Sequence, residues 1–368
     1  MVKFKDICSK IGSGATPKGG KEAYCEEGIS LIRSQNVLDF AFSADGLAFI
    51  NNLQAEKLKN VIVEEGDVLL NITGDSVARA CMVDKKYLPA RVNQHVCIVR
   101  ADPQKAVPSY LLHFLQLNKE YLLQLASGGA TRNALTKEMI NNLELELPSI
   151  EEQQKLVAIL DDIQARMDCN NAINENLQQQ AQAIYCDMFI TNASPSWQIG
   201  HLSDLITVRY GKDHKKLADG VYPVYGSGGI MRYVEKPLYD KESVLIPRKG
   251  TLNNVKYVNE PFWSVDTMFF TEMKLPNVAK YVFHFVKSKD LASLNAGSAV
   301  PSMTTDILKA MELSIPDADT LYKFESIVAP MYRTMKQNTQ ESNKLAELRD
   351  SLLPRLMSGE IDVSKLDI

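Results

Sequence analysis

Leu156, Leu160, Ile163, Met167, Asn170, Asn174, Leu177, Ala181, Ile184 and Met188 recur at alternating steps of four and three residues. That spacing is the apolar seam of a long coiled-coil helix. Adding 168 to each number gives Phe324, Val328, Met331, Met335, Asn338, Ser342, Leu345, Arg349, Leu352 and Leu356, in the same register. Asn170 falls on Asn338. The chain therefore reads as globule (1–150), long helix (151–190), second globule (191–317), then second long helix with a C-terminal tail (318–368).

The globules repeat as well. Tyr110-Leu111-Leu112-His113-Phe114-Leu115 returns as Tyr281-Val282-Phe283-His284-Phe285-Val286, and Asp67-Val68-Leu69-Leu70 returns as Ser243-Val244-Leu245-Ile246. Gly129 through Pro148 returns as Gly297 through Pro316, with Thr136 on Thr304 and Leu145 on Leu313. The offsets run from about 176 to 171 and then settle at 168 up to the chain end. A duplicated scaffold with divergent surfaces explains this pattern, and two copies are too few for a solenoid.

Within 1–150, short β-type runs stand at Ile29–Arg33, Asp67–Ile72 and His95–Arg100. The sequence predicts one helix from Ser109 to about Ala126, then a strand alternating Leu143, Leu145 and Leu147 that Pro148 ends. The expected fold class is α+β, with two globular α/β domains joined by two long helices in a pseudo-two-fold repeat. One amphipathic helix of this length cannot bury its seam alone, so the two are expected to pair with each other. Antiparallel pairing is favoured, because the second globule then has only to turn the chain around. It would hold the globules at opposite ends of a rod. Asn170 and Asn338 either fix the register of that pairing or mark a segment that frays or meets a partner. Pro354 is expected to kink the second helix or end it early, with Gly359 as a C-terminal cap.

Composition narrows the function. No apolar run approaches a membrane span and the first ten residues hold no signal core, so no membrane partner is expected. Six cysteines without C-x-x-C spacing argue for a reducing, cytoplasmic setting and against metal sites. Net charge is -4, and the deficit lies in the first long helix, where residues 151–190 carry 2 basic and 7 acidic groups. Residues 1–150 are balanced and 191–317 carry 15 basic and 13 acidic groups. That balance argues against indiscriminate DNA binding, though not against a local basic face.

Catalytic signatures fail. The stretch Gly12 to Lys21 lacks the phosphate-loop spacing, because Ala15 stands where glycine is needed and Glu22 where Ser or Thr is needed. No nucleophile elbow, zinc-protease or kinase motif occurs, nor the Asn/Asp-Pro-Pro-aromatic stretch of amino-methyltransferases. His113 and His284 correspond between the halves and are read as structural. The chain reads as a binder with no catalytic residue, metal or cofactor of its own.

Polar side chains suited to DNA cluster where loops are expected. In the first globule they are Arg33, Ser34, Gln35 and Asn36, then Asn71, Thr73, Asp75 and Ser76, then Asn93 and Gln94, then Thr131, Arg132 and Asn133. In the second they are Lys212, His214, Lys215 and Lys216, then Arg248, Lys249, Thr251, Asn253 and Asn254. Arg reads guanine and Asn or Gln reads adenine through paired hydrogen bonds, while Lys mainly meets phosphate. Asn, Asp, Gly and Ser are also the common turn formers.

Several stretches resemble one family. They are Ser13-Gly14-Ala15-Thr16-Pro17, Asn36-Val37, Gly66-Asp67-Val68-Leu69, Gly129 onward to Leu135-Thr136, Leu147-Pro148-Ser149-Ile150-Glu151-Glu152-Gln153-Gln154, and the terminal Leu352 to Ile361. In this order, and duplicated, they resemble the specificity (S) subunit of Type I restriction-modification systems, essentially end to end. The resemblance implies two target recognition domains, each reading half of a split, asymmetric double-stranded DNA sequence. The helices would set the unread spacer and dock two adenine methyltransferase (M) subunits. Those partners would bind S-adenosylmethionine, and restriction (R) subunits would use ATP and Mg. The second helix start, Pro316 to Tyr322, departs by lacking the Glu-Gln signature. Two other readings stay open: a two-lobed coiled-coil scaffold without DNA specificity, and a specificity subunit of a methylation-only system.

Overall fold

A computed structural model describes residues 1–128, 133–294 and 301–363. The chain forms two compact units, Met1–Cys169 with Gln340–Ile368, and Asn170–Thr339. The divisions fall inside the long helices, Ile150–Cys186 and Ala318–Met357, so each unit takes a globule and a segment of both helices.

In the first unit, Cys8–Ser13, Val96–Ala101, Val68–Asn71 and Ala80–Met82 form an antiparallel sheet in that spatial order. In the second, Ile206–Tyr210, Met268–Met273, Ser243–Pro247 and Lys256–Val258 form an antiparallel sheet of the same order. Val68–Asn71 and Ser243–Pro247 are buried along their whole length, which is why both read as continuous runs and not as alternations. A second sheet repeats too: Ile29–Ile32 pairs in parallel with Ala90–Val92, as Asp219–Gly226 pairs in parallel with Trp263–Ser264. Each globule is closed by a short ladder, Val2–Lys3 with Glu144–Leu145 and Gln198–His201 with Glu312–Ile315, ahead of its long helix.

The expected helix over Ser109 to Ala126 is two helices, Pro108–Leu117 and Lys119–Ser127. The Asn118 side chain donates to the Phe114 carbonyl and the backbone turns there, so the apolar pattern continues across a break. Pro354 does not end the second long helix. The helix runs to Met357, and the residue four before this proline, Asp350, is exposed, so water can satisfy the carbonyl left without a donor.

The helices run antiparallel within each unit. In the first, Arg166 pairs with Glu341 and Gln164 accepts from Arg349 at 2.9 Å; in the second, Asn170 donates to the Asn338 carbonyl at 3.5 Å. Asn338 also donates to Asn174 Oδ1 at 2.9 Å, and Asn174 to the Met335 carbonyl at 3.3 Å. The asparagines are thus mutually satisfied.

Most of the expected seam faces inward. Leu156, Leu160, Ile163, Phe324 and Val328 are buried, while Met167, Leu177, Met331, Met335 and Leu345 are half-buried. Towards the far ends Ala181 and Leu356 keep the seam and are buried, while Tyr185 and Leu353 are more deeply buried than Ile184 and Leu352 because they join the cores of the globules.

Each helix that repeats between the globules is pinned by its histidine. His113 Nε2 meets Asp161 at 2.8 Å in the first unit. In the second, His284 Nδ1 donates to Gln182 Oε1 at 2.8 Å and its Nε2 accepts from the Tyr332 hydroxyl at 3.0 Å. Burial, with Lys287 nearby, pushes the His284 pKa down to about 4. Among the described residues no helix is long and apolar enough to cross a membrane, and no group of His, Cys, Asp and Glu could hold a metal ion.

Candidate nucleic-acid interface

The first-globule candidates converge at the sheet ends. Asn71 leaves its buried strand and donates its side-chain amide to the Ser34 and Val37 carbonyls at 2.9 and 3.2 Å. Thr73 Oγ1 lies 2.5 Å from His95 Nδ1, and Gln94 Nε2 lies 3.1 Å from His95 Nε2. Gly74 donates its amide to the Asn133 carbonyl, and Leu135 to the Ile72 carbonyl. Four loops far apart in sequence are therefore tied into one surface.

Within that surface the side chains divide. Asn36 and Asn71 are fully buried and Asn93 nearly so. Asn36 donates to the Ser43 and Asp45 carbonyls, and Asn93 accepts from the His95 amide. These three build the loops. Arg33 donates from Nη2 to the Gly46 carbonyl, and its Nε is enclosed without a partner among the described residues, so it too braces a loop. Gln35, Asp75, Gln94 and Asn133 are exposed, and Ser34, Thr73 and Ser76 half-buried. Arg79 was not singled out from sequence. It is half-buried on the same loop, and no side-chain partner is found for it among the described residues. Its signal was a lone arginine between turn residues and strand. Thr131 and Arg132 lie outside the described residues.

The second globule builds the same frame. Lys249 bridges Ser302 as Thr73 bridges Ala134. Gly250 donates to the Pro301 carbonyl, Met303 to that of Arg248, and Arg248 to that of Thr267, repeating Gly74 to Asn133, Leu135 to Ile72 and Ile72 to His95. Gly74 and Gly250 both sit at positive φ, +77 and +86 degrees, where glycine is unstrained. Gly14 and Gly211 match as well, since a Cβ on either would stand 2.0 Å from a carbonyl oxygen, of Val92 or Val265. The amide that follows Gly14, that of Ala15, binds the Val92 carbonyl; the amide that follows Gly211, that of Lys212, binds the Ser264 carbonyl. Lys212 thus stands where Ala15 does.

On this common frame the second globule carries cations. Lys212, Lys215, Lys216 and Lys249 are exposed, as are Thr251 and Asn253, while Arg248, His214 and Asn254 are half-buried. Asn253 is committed to Asp290 and the Ala292 amide, and Asn254 donates to the Ser227 carbonyl at 2.6 Å. The Lys215 backbone amide, donated to Asp213, holds that carboxyl below its usual pKa.

The family-like stretches lie mostly in the scaffold. Asp67 is buried, accepting the Glu64 amide and both Nε and Nη2 of Arg100. Thr136 and Thr304 cap their short helices. Gln153 is fully buried, accepts the Val107 amide and donates to the Lys105 and Pro148 carbonyls. Leu321 takes that place 168 residues on, also buried, so losing the glutamine exchanges a polar strut for an apolar one.

The two loop surfaces of this duplicated fold share a backbone and differ in their outward side chains. The chain belongs to the family of the Type I restriction modification DNA specificity domain, whose model matches residues 1–179 and 195–347. It is similar to the Type I restriction enzyme MjaIX specificity subunit of Methanocaldococcus jannaschii, 23% identical over all of this chain and 94% of that protein. It is also similar to the HindI specificity subunit of Haemophilus influenzae, 20% identical over 90% of this chain and 94% of that one. Among solved structures, the Type I S subunit from M. genitalium shares the fold at a TM-score of 0.58 and 16% identity, over 97% of this chain and 95% of that one.

Proposed function

We propose that this chain is the non-catalytic subunit that chooses the DNA sequence for its complex, each unit reading one half of a split, asymmetric duplex target. The observation that carries this reading is the loop frame, conserved to individual backbone hydrogen bonds while the outward side chains change. A scaffold that only assembled partners would have no need to vary those positions. In the first unit Gln35, Asp75, Ser76, Arg79, Gln94 and Asn133 are the proposed contacts. In the second they are Lys212, Lys215, Lys216, Arg248, Lys249 and Thr251. The paired helices set the unread spacer and, with their outer faces, receive two adenine methyltransferase subunits; restriction subunits complete the assembly.

The test is a gel shift of the complex with methyltransferase, followed by genome-wide mapping of methylated sites. A split target is expected, and replacing either globule should alter only its own half. Absence of any sequence-dependent band at moderate salt would overturn DNA specificity. Alteration of both halves by one replacement would overturn the division of labour.

A further inference from the structure

Of the cations proposed as contacts in the second unit, Lys212, Lys215, Lys216, Arg248 and Lys249, Arg248 is held in a braced pose. Its backbone is locked at both ends of the residue, the amide to the Thr267 carbonyl at 2.8 Å and the carbonyl to the Met303 amide at 2.9 Å. Its guanidinium lies over the Tyr210 ring, 5.4 Å from the centroid, within the range of a cation–π contact. Tyr210 is itself seated edge-on against buried Phe269 at 5.1 Å. Nη1 donates to the Asp266 carbonyl at 3.1 Å. Nε and Nη2, the two donors on the opposite edge, have no partner among the described residues and are not enclosed. A flat, braced arginine therefore presents one intact pair of parallel donors at the loop surface.

Two adjacent acceptors in a plane match that edge. In duplex DNA the guanine O6 and N7 atoms offer such a pair in the major groove, and no other base does. Phosphate oxygens could also take the fork, but four exposed lysines without this bracing, Lys212, Lys215, Lys216 and Lys249, belong to the same unit and suit the backbone better. Ile72 holds the equivalent place in the first unit and is buried, so the first surface cannot make this contact there.

We infer that Arg248 reads a guanine in the half-site bound by the second unit, with Tyr210 as the residue that positions it. This rests on the DNA-specificity reading above. The experiment selects DNA from a randomised duplex library with the methyltransferase-bound complex, wild type against Arg248→Lys, Arg248→Met, Tyr210→Leu and Tyr210→Phe. Thermal unfolding checks that each variant folds.

Arg248→Lys keeps the charge and loses the fork. It should reduce the preference for one G·C pair by roughly 5- to 150-fold, the range for a good bidentate pair, and leave the other half-site intact. Arg248→Met should do the same with weaker overall binding. Tyr210→Leu should relax that same pair, and Tyr210→Phe, which keeps the ring, should retain it. An unchanged motif in both Arg248 variants overturns the proposal, as does a uniform loss of affinity across sequences or relaxation at an A·T pair. A wild-type complex that selects no motif overturns the DNA-specificity reading itself, a result distinct from a selected motif indifferent to Arg248.

Discussion

Thr73 and Lys249 occupy one position on two copies of a backbone, and so do Ile72 and Arg248. In the first unit this loop buries an isoleucine and ties a threonine to His95. In the second the same hydrogen bonds present an arginine and an exposed lysine. Backbone bonds and tight glycines hold the loop, so its side chains are free to change chemistry. The exposed side chains of the first surface are mainly neutral, and those of the second are cationic, with one braced arginine.

The comparison breaks most readily at its glycines. Gly14→Val and Gly211→Val each place side-chain carbon 2.0 Å from a backbone carbonyl oxygen, of Val92 or Val265. Each should cost about 3 kcal/mol or more, as overpacking of a rigid site does, and denaturant melts would read the loss. Equal losses are expected. A tolerated valine in either unit would mean that the frames are not equivalent.

A second break is electrostatic. His284 is fully buried, and its pKa is lowered to about 4 from an ordinary value near 6.5. Between those values the unfolded chain binds the extra proton, so stability is present above about pH 6.5 and is lost as pH falls towards 4. The span corresponds to about 3 kcal/mol at most. His284→Gln should flatten that stretch of the stability curve and cost stability at neutral pH by unpairing Tyr332 or Gln182. A slope that survives the substitution would refute the assignment.

A smaller effect separates strut from reader. Asn71→Ala removes two hydrogen bonds between buried groups and should cost about 2 kcal/mol. It should loosen only the half-site of the first unit, because Pro247, its counterpart, makes no such bonds. Gln94→Ala, at an exposed position, should leave stability within about 0.5 kcal/mol and change base preference alone. Melting curves beside selected motifs distinguish the two.

Much of this was legible from residues alone. The two helices announce themselves by spacing, and the duplication by offsets that end in a constant 168. Antiparallel pairing followed from chain connectivity. The burial of Tyr185 and Leu353 beside the seam was not visible, because both pack into globule cores that a four-three template does not describe. The loop clusters were visible as runs of turn-forming and polar residues, and the structure gathers those of the first globule onto one surface. Which of them face outward was hidden. Asn36, Asn71 and Asn93 resemble readers in sequence and are buried in the fold, since an asparagine that bonds a distant carbonyl looks no different from a solvated one. Arg33 and Arg248 look alike in sequence as well. Only the packing shows one bracing a loop and the other braced.

The smallest effect tests charge alone. Each lysine–phosphate contact releases counterions and contributes about 0.9 to the slope of log affinity against log salt. Lys249→Ala should therefore lower the slope by about one, and change affinity about threefold more at 50 than at 200 mM salt, uniformly across DNA sequences. The reciprocal change, Thr73→Lys, places the same cation on the same backbone position of the first unit and should raise the slope by about one. It also removes the hydroxyl held by His95, so the melt of the variant must be compared first. If Thr73→Lys folds and leaves the slope unchanged, the first loop does not lie beside the phosphates, and the two surfaces approach DNA differently despite their common frame.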